Sequence, residues 1–227
     1  MPRTPPDPSA DTPPADAPRP RGRPRKTAEE RDDGNRRQAL LGAAALLFRQ
    51  HGFAGTSTRD IAQAVGMRSG SPFYHFDSKQ ALLGAVMTEG MRSALQHQAQ
   101  ALAALPAGAS ARARFAALVR SHFDVLLGPQ SDFIPVMLYE WRLLQPDQRA
   151  AVQALKDDYE SVWQHVLDAL HQAGCLRGDP RLVRLMIFGA LNWSVQWYQP
   201  PGRGTSRQRA TLDDLTRTAL ELFLTTP

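Results

Sequence analysis

The sequence predicts an all-α chain built from two unlike helical parts. Three observations carry this expectation. Apolar residues recur at helical spacing from Asn35 almost to the C-terminus; glycine, proline and Asp/Ser/Thr signals punctuate the chain at helix lengths; and no useful stretch alternates with the period of a strand. The first folded part, residues 34–83, reads as a three-helix helix-turn-helix unit, and the second, residues 84–227, as a helical bundle.

Residues 1–33 hold many prolines, few large apolar side chains and no periodicity, so they read as a disordered arm that cannot offset its ordering entropy. Helical periodicity begins at Asn35. Ala39, Leu40, Ala43, Ala44, Leu47 and Phe48 form one stripe, and Gly52 stands where a helix stops. Ser57 or Thr58 offers an N-cap for a short helix carrying Ile61, Ala62 and Val65, which Gly66 breaks. A second short segment runs from Ser71 to Phe76. Asp77-Ser78 then caps a longer helix from Lys79 that carries Ala81, Leu82, Ala85, Val86 and Met87. Further helices are expected near Ala111–Leu127, Phe133–Leu144, Asp147–Ala173, Pro180–Tyr198 and Leu212–Thr225. Asp179-Pro180 supplies an N-cap followed by a first-position proline, and Pro200-Pro201-Gly202 ends the penultimate helix.

Composition narrows the partners. The formal net charge is +5 and the pI is near 9.9. Basic residues crowd Arg19 to Lys26 and recur at Arg36, Arg37, Arg59, Arg68 and Lys79, while the rest of the chain is mixed in sign. That is an electrostatic footprint for nucleic acid or an anionic membrane surface. No run approaches the roughly 18 apolar residues of a membrane span, and the N-terminus has no apolar h-region of a secretory signal. The single cysteine, Cys175, excludes an internal disulfide framework and fits a reducing cytosol. A soluble cytoplasmic protein that does not engage a membrane is expected.

Within the arm, Pro20-Arg21-Gly22-Arg23-Pro24 resembles an AT-hook. Gly22 would let the backbone approach closely, and Arg21 and Arg23 would meet the negative potential of a narrow A·T minor groove. A solvated basic arm that only adds non-specific affinity fits the same residues.

The stretch from His51 to Leu83 reads HGFAGTSTRDIAQAVGMRSGSPFYHFDSKQALL. Two short helices around a glycine-bearing turn match a helix-turn-helix, whose second helix lays its N-terminal side chains in the major groove. The ordered set His51-Gly52-Phe53, Thr56-Ser57-Thr58, Ile61-Ala62, Val65-Gly66, Phe73-Tyr74-His75-Phe76 and Ser78-Lys79 resembles the TetR family of transcription regulators over about residues 35–85. The resemblance implies a homodimeric repressor on a double-stranded DNA operator. Carried over by position, it implies that Thr58 meets a phosphate and that Arg68, Ser69 and Ser71 face base edges, with Gly70 allowing close approach. Arg68 is the principal specificity residue, because arginine reads guanine bidentately. Tyr74, His75 and Lys79 are expected on phosphates, Arg37 and Arg59 complete the DNA-contacting set, and Phe76 is core. Pro72 and Phe73 depart from the family, where an aliphatic residue and a tyrosine are usual; Phe73 has no hydroxyl for a phosphate.

The resemblance also implies a C-terminal domain that binds a small molecule and supplies the dimer contact. Dimerisation is expected on the last two helices. Leu182, Leu185, Met186, Gly189, Ala190, Trp193 and Trp197 make one stripe; Leu212, Leu215, Ala219, Leu222 and Phe223 make the other, although intrachain packing produces the same pattern. Gly189-Ala190-Leu191-Asn192-Trp193, followed by Trp197-Tyr198, Pro200 and Gly202, resembles the acyl-CoA-responsive branch of the family. In that reading Phe133, Met137, Tyr139, Trp141, Trp163 and Trp193 line an apolar tunnel, while Arg142 or Asn192 meets polar ligand atoms. The helix from Lys79 joins reader to sensor and is the expected lever.

Three other readings stand beside this one. An enzyme is excluded by the lack of a G-x-S-x-G elbow, Walker loop, Rossmann glycines or H-E-x-x-H; His165 and His171 are not at metal-pair spacing, and neither metal nor cofactor is expected. A ligand-independent architectural DNA-binding protein would need little beyond a reader and a dimer contact. An activator, or a sensor of drugs or aromatic compounds, keeps the family and changes only sign or ligand.

Overall fold

The structure is a computed structural model and describes residues 28–67, 75–128, 131–200 and 210–225. Every regular element among the described residues is helical, as the sequence predicts. They are α1 (Ala28–Gly55), α2 (Thr58–Ala64), α3 (Lys79–Ala103), α4 (Ala111–Leu127), α5 (Phe133–Glu140), α6 (Pro146–Gln172), α7 (Pro180–Trp193) and α8 (Leu212–Phe223). Short 3-10 turns follow α5 at Trp141–Leu143 and α7 at Ser194–Gln196. The arm residues Arg21, Gly22 and Arg23 and the expected base and phosphate readers Arg68, Ser69, Ser71 and Tyr74 lie outside the described residues.

Local signals explain most boundaries. Gly52 breaks α1 with φ 71° and ψ 166°, a conformation that side chains with a Cβ rarely adopt. Ser57, not Thr58, is the N-cap of α2: its side chain accepts from the Asp60 amide while Asp60 reaches back to the Ser57 amide. Ser78 and Ser110 cap α3 and α4 by accepting from the Ala81 and Ala113 amides, Asp179 caps α7 ahead of Pro180, and Thr211 with Asp214 boxes α8. One start differs from expectation. α1 begins at Ala28, ahead of Asn35, because the charged stretch up to Asp33 has no apolar stripe to announce a helix.

α3 is packed on α1, α4, α5 and α6. Its Leu82, Leu83, Val86 and Met87 join Leu40, Leu41 and Phe48 of α1 and Ile61 of α2 in one continuous core with the bundle helices. Reader and bundle therefore share packing instead of meeting across a linker. Deeper in the bundle, Phe115 and Trp163 are fully buried and meet edge to face at 6.0 Å, a preferred aromatic geometry.

The two C-terminal stripes separate. On α7, Leu182, Leu185, Met186 and Trp193 all point to solvent, with Trp197 beyond; Met186 is 70% exposed. On α8 the stripe packs within the chain. Ala219 is buried and Leu212, Leu215 and Phe223 pack on the core, since α8 lies against α4, leaving Leu222 outside.

Two glycines on helices make opposite predictions. A Cβ at Gly42 meets nothing within 4 Å, whereas one at Gly90 would stand 2.8 Å from the Cβ of Phe133, where α5 crosses α3. Gly42→Ala should raise the unfolding free energy by about 1 kcal/mol through helix propensity. Gly90→Ala should lower it by about 1–3 kcal/mol through overpacking. Urea denaturation of both variants checks this; a Gly90→Ala protein as stable as wild type would refute the close approach.

Candidate nucleic-acid interface and ligand cavity

The reader is built around the end of α1. Where the helix stops at Gly52, its last carbonyls and the next amide need partners. Thr56, 2% exposed, donates its hydroxyl to Gly52 O at 2.9 Å and Leu47 O at 3.2 Å. Lys79, the first residue of α3, donates its ammonium to Phe53 O and Thr56 O, each at 2.8 Å, and lies 4.3 Å from the centroid of the Phe53 ring. The ammonium expected on a phosphate is thus engaged by two carbonyls and a π face, which makes Lys79 a positioning residue for the α1–α2 turn.

Among the other expected DNA contacts, Arg59 is exposed and Thr58 half-buried at the start of α2. Arg37 is exposed with its guanidinium 5.1 Å from the centroid of Phe76, which is buried as expected. His75 is half-buried. Asp60 is held below the usual carboxylate range by the Ser57 hydroxyl first and the Ser57 amide second. The box therefore stays ionised and intact across the neutral range. Its Ser-x-x-Asp spacing was available in the sequence, and only the choice between Ser57 and Thr58 was left to the structure.

Two contacts bind the reader to α5. Arg49 of α1 donates to Asp132 just before α5 at 2.8 Å, and the Phe53 amide donates to Glu140 Oε1 at the end of α5 at 2.9 Å. Glu140 takes this amide because α1 breaks at Gly52; the same oxygen lies 3.4 Å from where a Gly52 Cβ would stand. Sequence reasoning missed both pairs, since nothing local marks a carboxylate as the partner of an amide in another domain.

α5 also lines a cavity of about 230 Å³ inside the bundle. Its apolar wall includes Met91 and Ala94 of α3, Val125 of α4, Ile134 and Met137 of α5, and Phe188 of α7. The exposed Leu185 and Gly189 of α7 also line it, and Lys156 and Glu160 of α6 give it a charged edge. Glu160 there is ion-paired with Lys156 and, at 3.4 Å, with Arg184.

Of the expected ligand-binding residues, Met137 and Asn192 line this cavity. Trp163 is fully buried behind it, packed on Phe188 at 5.0 Å between ring centroids. Phe133 is packed against the core beside Gly90. Tyr139 is exposed and bonded to Gln196, Arg142 and Trp193 are exposed, and Trp141 packs on the core; none of these four lines the cavity. Helical spacing could not separate them, because an aromatic stripe looks the same toward core, cavity or solvent.

One polar chain crosses the cavity wall. His122, 7% exposed, is 3.1 Å from the Tyr159 hydroxyl through Nδ1 and 3.1 Å from Asn192 Oδ1 through Nε2. Burial pulls the imidazole down from 6.5 to about 4, and burial pushes the Tyr159 phenol up. At neutral pH both are uncharged. Asn192 Oδ1 can only accept, so Nε2 carries the proton and Nδ1 accepts from Tyr159. Trp163 Nε1, a donor without a partner in hydrogen-bond geometry, lies beside the Tyr159 oxygen and so favours the same direction.

This histidine makes stability depend on pH. Unfolded, it binds its proton near 6.5; folded, only near 4. The unfolded state takes up more protons between these values, so the full contribution is present above pH 6.5 and is lost as pH falls toward 4. The loss amounts to about 3 kcal/mol. Urea midpoints at pH 7.5, 6 and 5 should fall steeply for the wild type and distinctly less for His122→Gln; parallel curves would contradict a neutral buried imidazole.

Comparison with known proteins follows the same division of the chain. Residues 40–86 match the bacterial regulatory proteins of the tetR family, and residues 108–223 match the tetracyclin repressor-like C-terminal domain. The HTH-type transcriptional repressor KstR2 of Rhodococcus jostii (strain RHA1) is 29% identical over 175 residues, 75% of this chain and 83% of the relative. Among solved structures, AibR in complex with isovaleryl coenzyme A and operator DNA is 26% identical with a TM-score of 0.71, covering 83% of this chain and 97% of that one. The superantigen PfiT is 38% identical with a TM-score of 0.66, covering 84% and 97%.

Proposed function

This chain belongs to the TetR family of bacterial regulatory proteins and is a DNA-binding transcription regulator, not an enzyme; from that premise we propose that it is a homodimeric repressor which leaves a palindromic operator when an acyl-coenzyme A thioester enters the cavity. The carrying observation is that α5 lines the cavity with Ile134 and Met137 and also grips the reader, through Asp132 to Arg49 and Glu140 to the Phe53 amide. A ligand that displaces α5 must move the end of α1 with it. Fold likeness alone does not assign function, and the superantigen PfiT shares this fold. What supports a regulator here is the match of the reader itself.

In this reading Arg68, Ser69 and Ser71 meet base edges, while Thr58, Tyr74 and His75 meet phosphates and Arg37 and Arg59 add charge. Lys79 orients the turn that presents them. The acyl part fills the apolar cavity, and Lys156 and Arg184, two cations sharing the Glu160 carboxylate, suit the anionic coenzyme end. The AibR complex with isovaleryl coenzyme A supports this class of effector. Release works by population shift: only a ligand that prefers the non-binding geometry drives the DNA off, with couplings of about 1–3 kcal/mol.

Anisotropy titration on DNA from its own upstream region, at fixed salt, should show tight specific binding that an acyl-coenzyme A of one chain-length class weakens by roughly 5- to 150-fold. Tight binding indifferent to every thioester would remove the acyl-coenzyme A reading, and no sequence preference at all would remove the operator reading. The outward stripe of α7 is the proposed dimer face, an exposed apolar patch of the kind that marks association. Met186→Asp should sediment as a folded monomer and bind the two-half-site operator at least roughly tenfold more weakly. A dimeric Met186→Asp protein would place the interface elsewhere.

A further inference from the structure

The effector reading above leaves open what the cavity recognises, and its one polar feature narrows the answer. Inside an otherwise apolar wall the chain places Tyr159, His122 and Asn192 in series, with Tyr159 and His122 almost fully buried. Uncompensated polar groups in such a place are costly. The Tyr159 proton, both ring nitrogens of His122 and Asn192 Oδ1 are used within the chain itself. With Oδ1 turned to His122, the Asn192 amide nitrogen is the remaining donor of this hydrogen-bonded series, and it has no partner among the described residues.

Resting on that effector reading, we propose that Asn192, oriented by His122 and Tyr159, recognises an uncharged carbonyl oxygen of the cavity-bound ligand, so that the site takes a neutral ester, thioester or ketone over the carboxylate of the same skeleton. A carbonyl oxygen accepts from the amide and leaves no group dry. A hydrocarbon of the same shape strands the amide donor, which typically costs enough to be seen as tenfold or more in affinity. A carboxylate brings a full charge beside a histidine that stays neutral, because burial opposes its protonation. The cations at the edge, Lys156 and Arg184, are left to the anionic coenzyme end, apart from the His122–Asn192 pair in the wall. Size is consistent with a compact ligand. A dry cavity of about 150 Å³ admits benzene, and this one, at about 230 Å³, has room for a ring with a short chain.

The test uses three matched probes on the full chain without DNA: propiophenone, n-propylbenzene and 3-phenylpropanoate, titrated by calorimetry at pH 7.5. Propiophenone should bind at least roughly tenfold more tightly than either of the others. In Asn192→Leu its advantage over n-propylbenzene should vanish. The carbonyl stretch of bound propiophenone should lie at lower wavenumber in the wild type than in Asn192→Leu, a shift that a purely structural asparagine would not produce. Should Asn192→Leu fail to fold, Asn192→Asp keeps an acceptor toward His122 while deleting the amide donor, and it should lose propiophenone binding. Equal affinities for the three probes, binding of none of them, or a preference that survives both substitutions would overturn the proposal. Operator binding, measured separately, reports on the regulator reading alone, so the two failures are distinguishable.

Discussion

A helix that ends inside a packed protein leaves backbone groups that must find partners, and here the whole molecule is arranged around one such ending. At Gly52 the chain turns through a positive φ, and the freed groups of Leu47, Gly52, Phe53 and Thr56 are met by three side chains. Thr56 comes from the turn itself, Lys79 from the start of α3, and Glu140 from the far end of α5. Each is held by a different element, so the orientation of the reader depends on where α3 and α5 stand. An alanine in place of any of the three would leave a carbonyl or amide short of its partner, and the turn would lose one of its fixed points.

This arrangement gives the proposed coupling a physical route. The core runs without interruption from Leu40 and Phe48 of the reader through α3 to Trp163 and Leu167 of the bundle. Close-packed interiors transmit displacement instead of absorbing it. α5 is short, crosses α3 at Gly90 and carries cavity wall on the same turns that its ends anchor to α1. The exposed Arg49–Asp132 pair contributes little to stability by itself. Its importance is geometric: together with Glu140 it gives α5 two points of attachment, and a rigid rod held at two points cannot move without turning what it holds.

The cavity shows a related economy of polar groups. Its wall is apolar apart from one chain of hydrogen bonds, and that chain is uncharged because burial suppresses the imidazolium of His122 and the phenolate of Tyr159. Charge is confined to the edge, where Lys156, Glu160 and Arg184 neutralise one another in part. The separation of a neutral interior from a charged rim is what a ligand with an apolar body and an anionic head requires, and the steps that produce it are desolvation and pairing.

Most helices and their caps were legible in the sequence, because the signals that start and stop a helix act within a few residues. Gly52, Ser78 and Asp179-Pro180 each stand beside the boundary they set. The charged start of α1 was not legible, having no apolar stripe, and neither was the inward turn of α8, since a stripe does not say what it faces. Met137 and Asn192 were found as cavity residues, whereas Tyr139, Trp141, Arg142 and Trp193 share their chemistry and spacing yet stand elsewhere. The sequence by itself determined the all-α class, the helix-turn-helix unit and its family, because these rest on short-range periodicity and an ordered local motif. Only the tertiary structure decided that Lys79 serves the turn, that Glu140 and Asp132 hold the reader, and that His122 meets Tyr159 and Asn192. Those partners are 23 to 87 residues apart in the chain, and a contact at that distance exists only once packing has chosen which helices lie side by side.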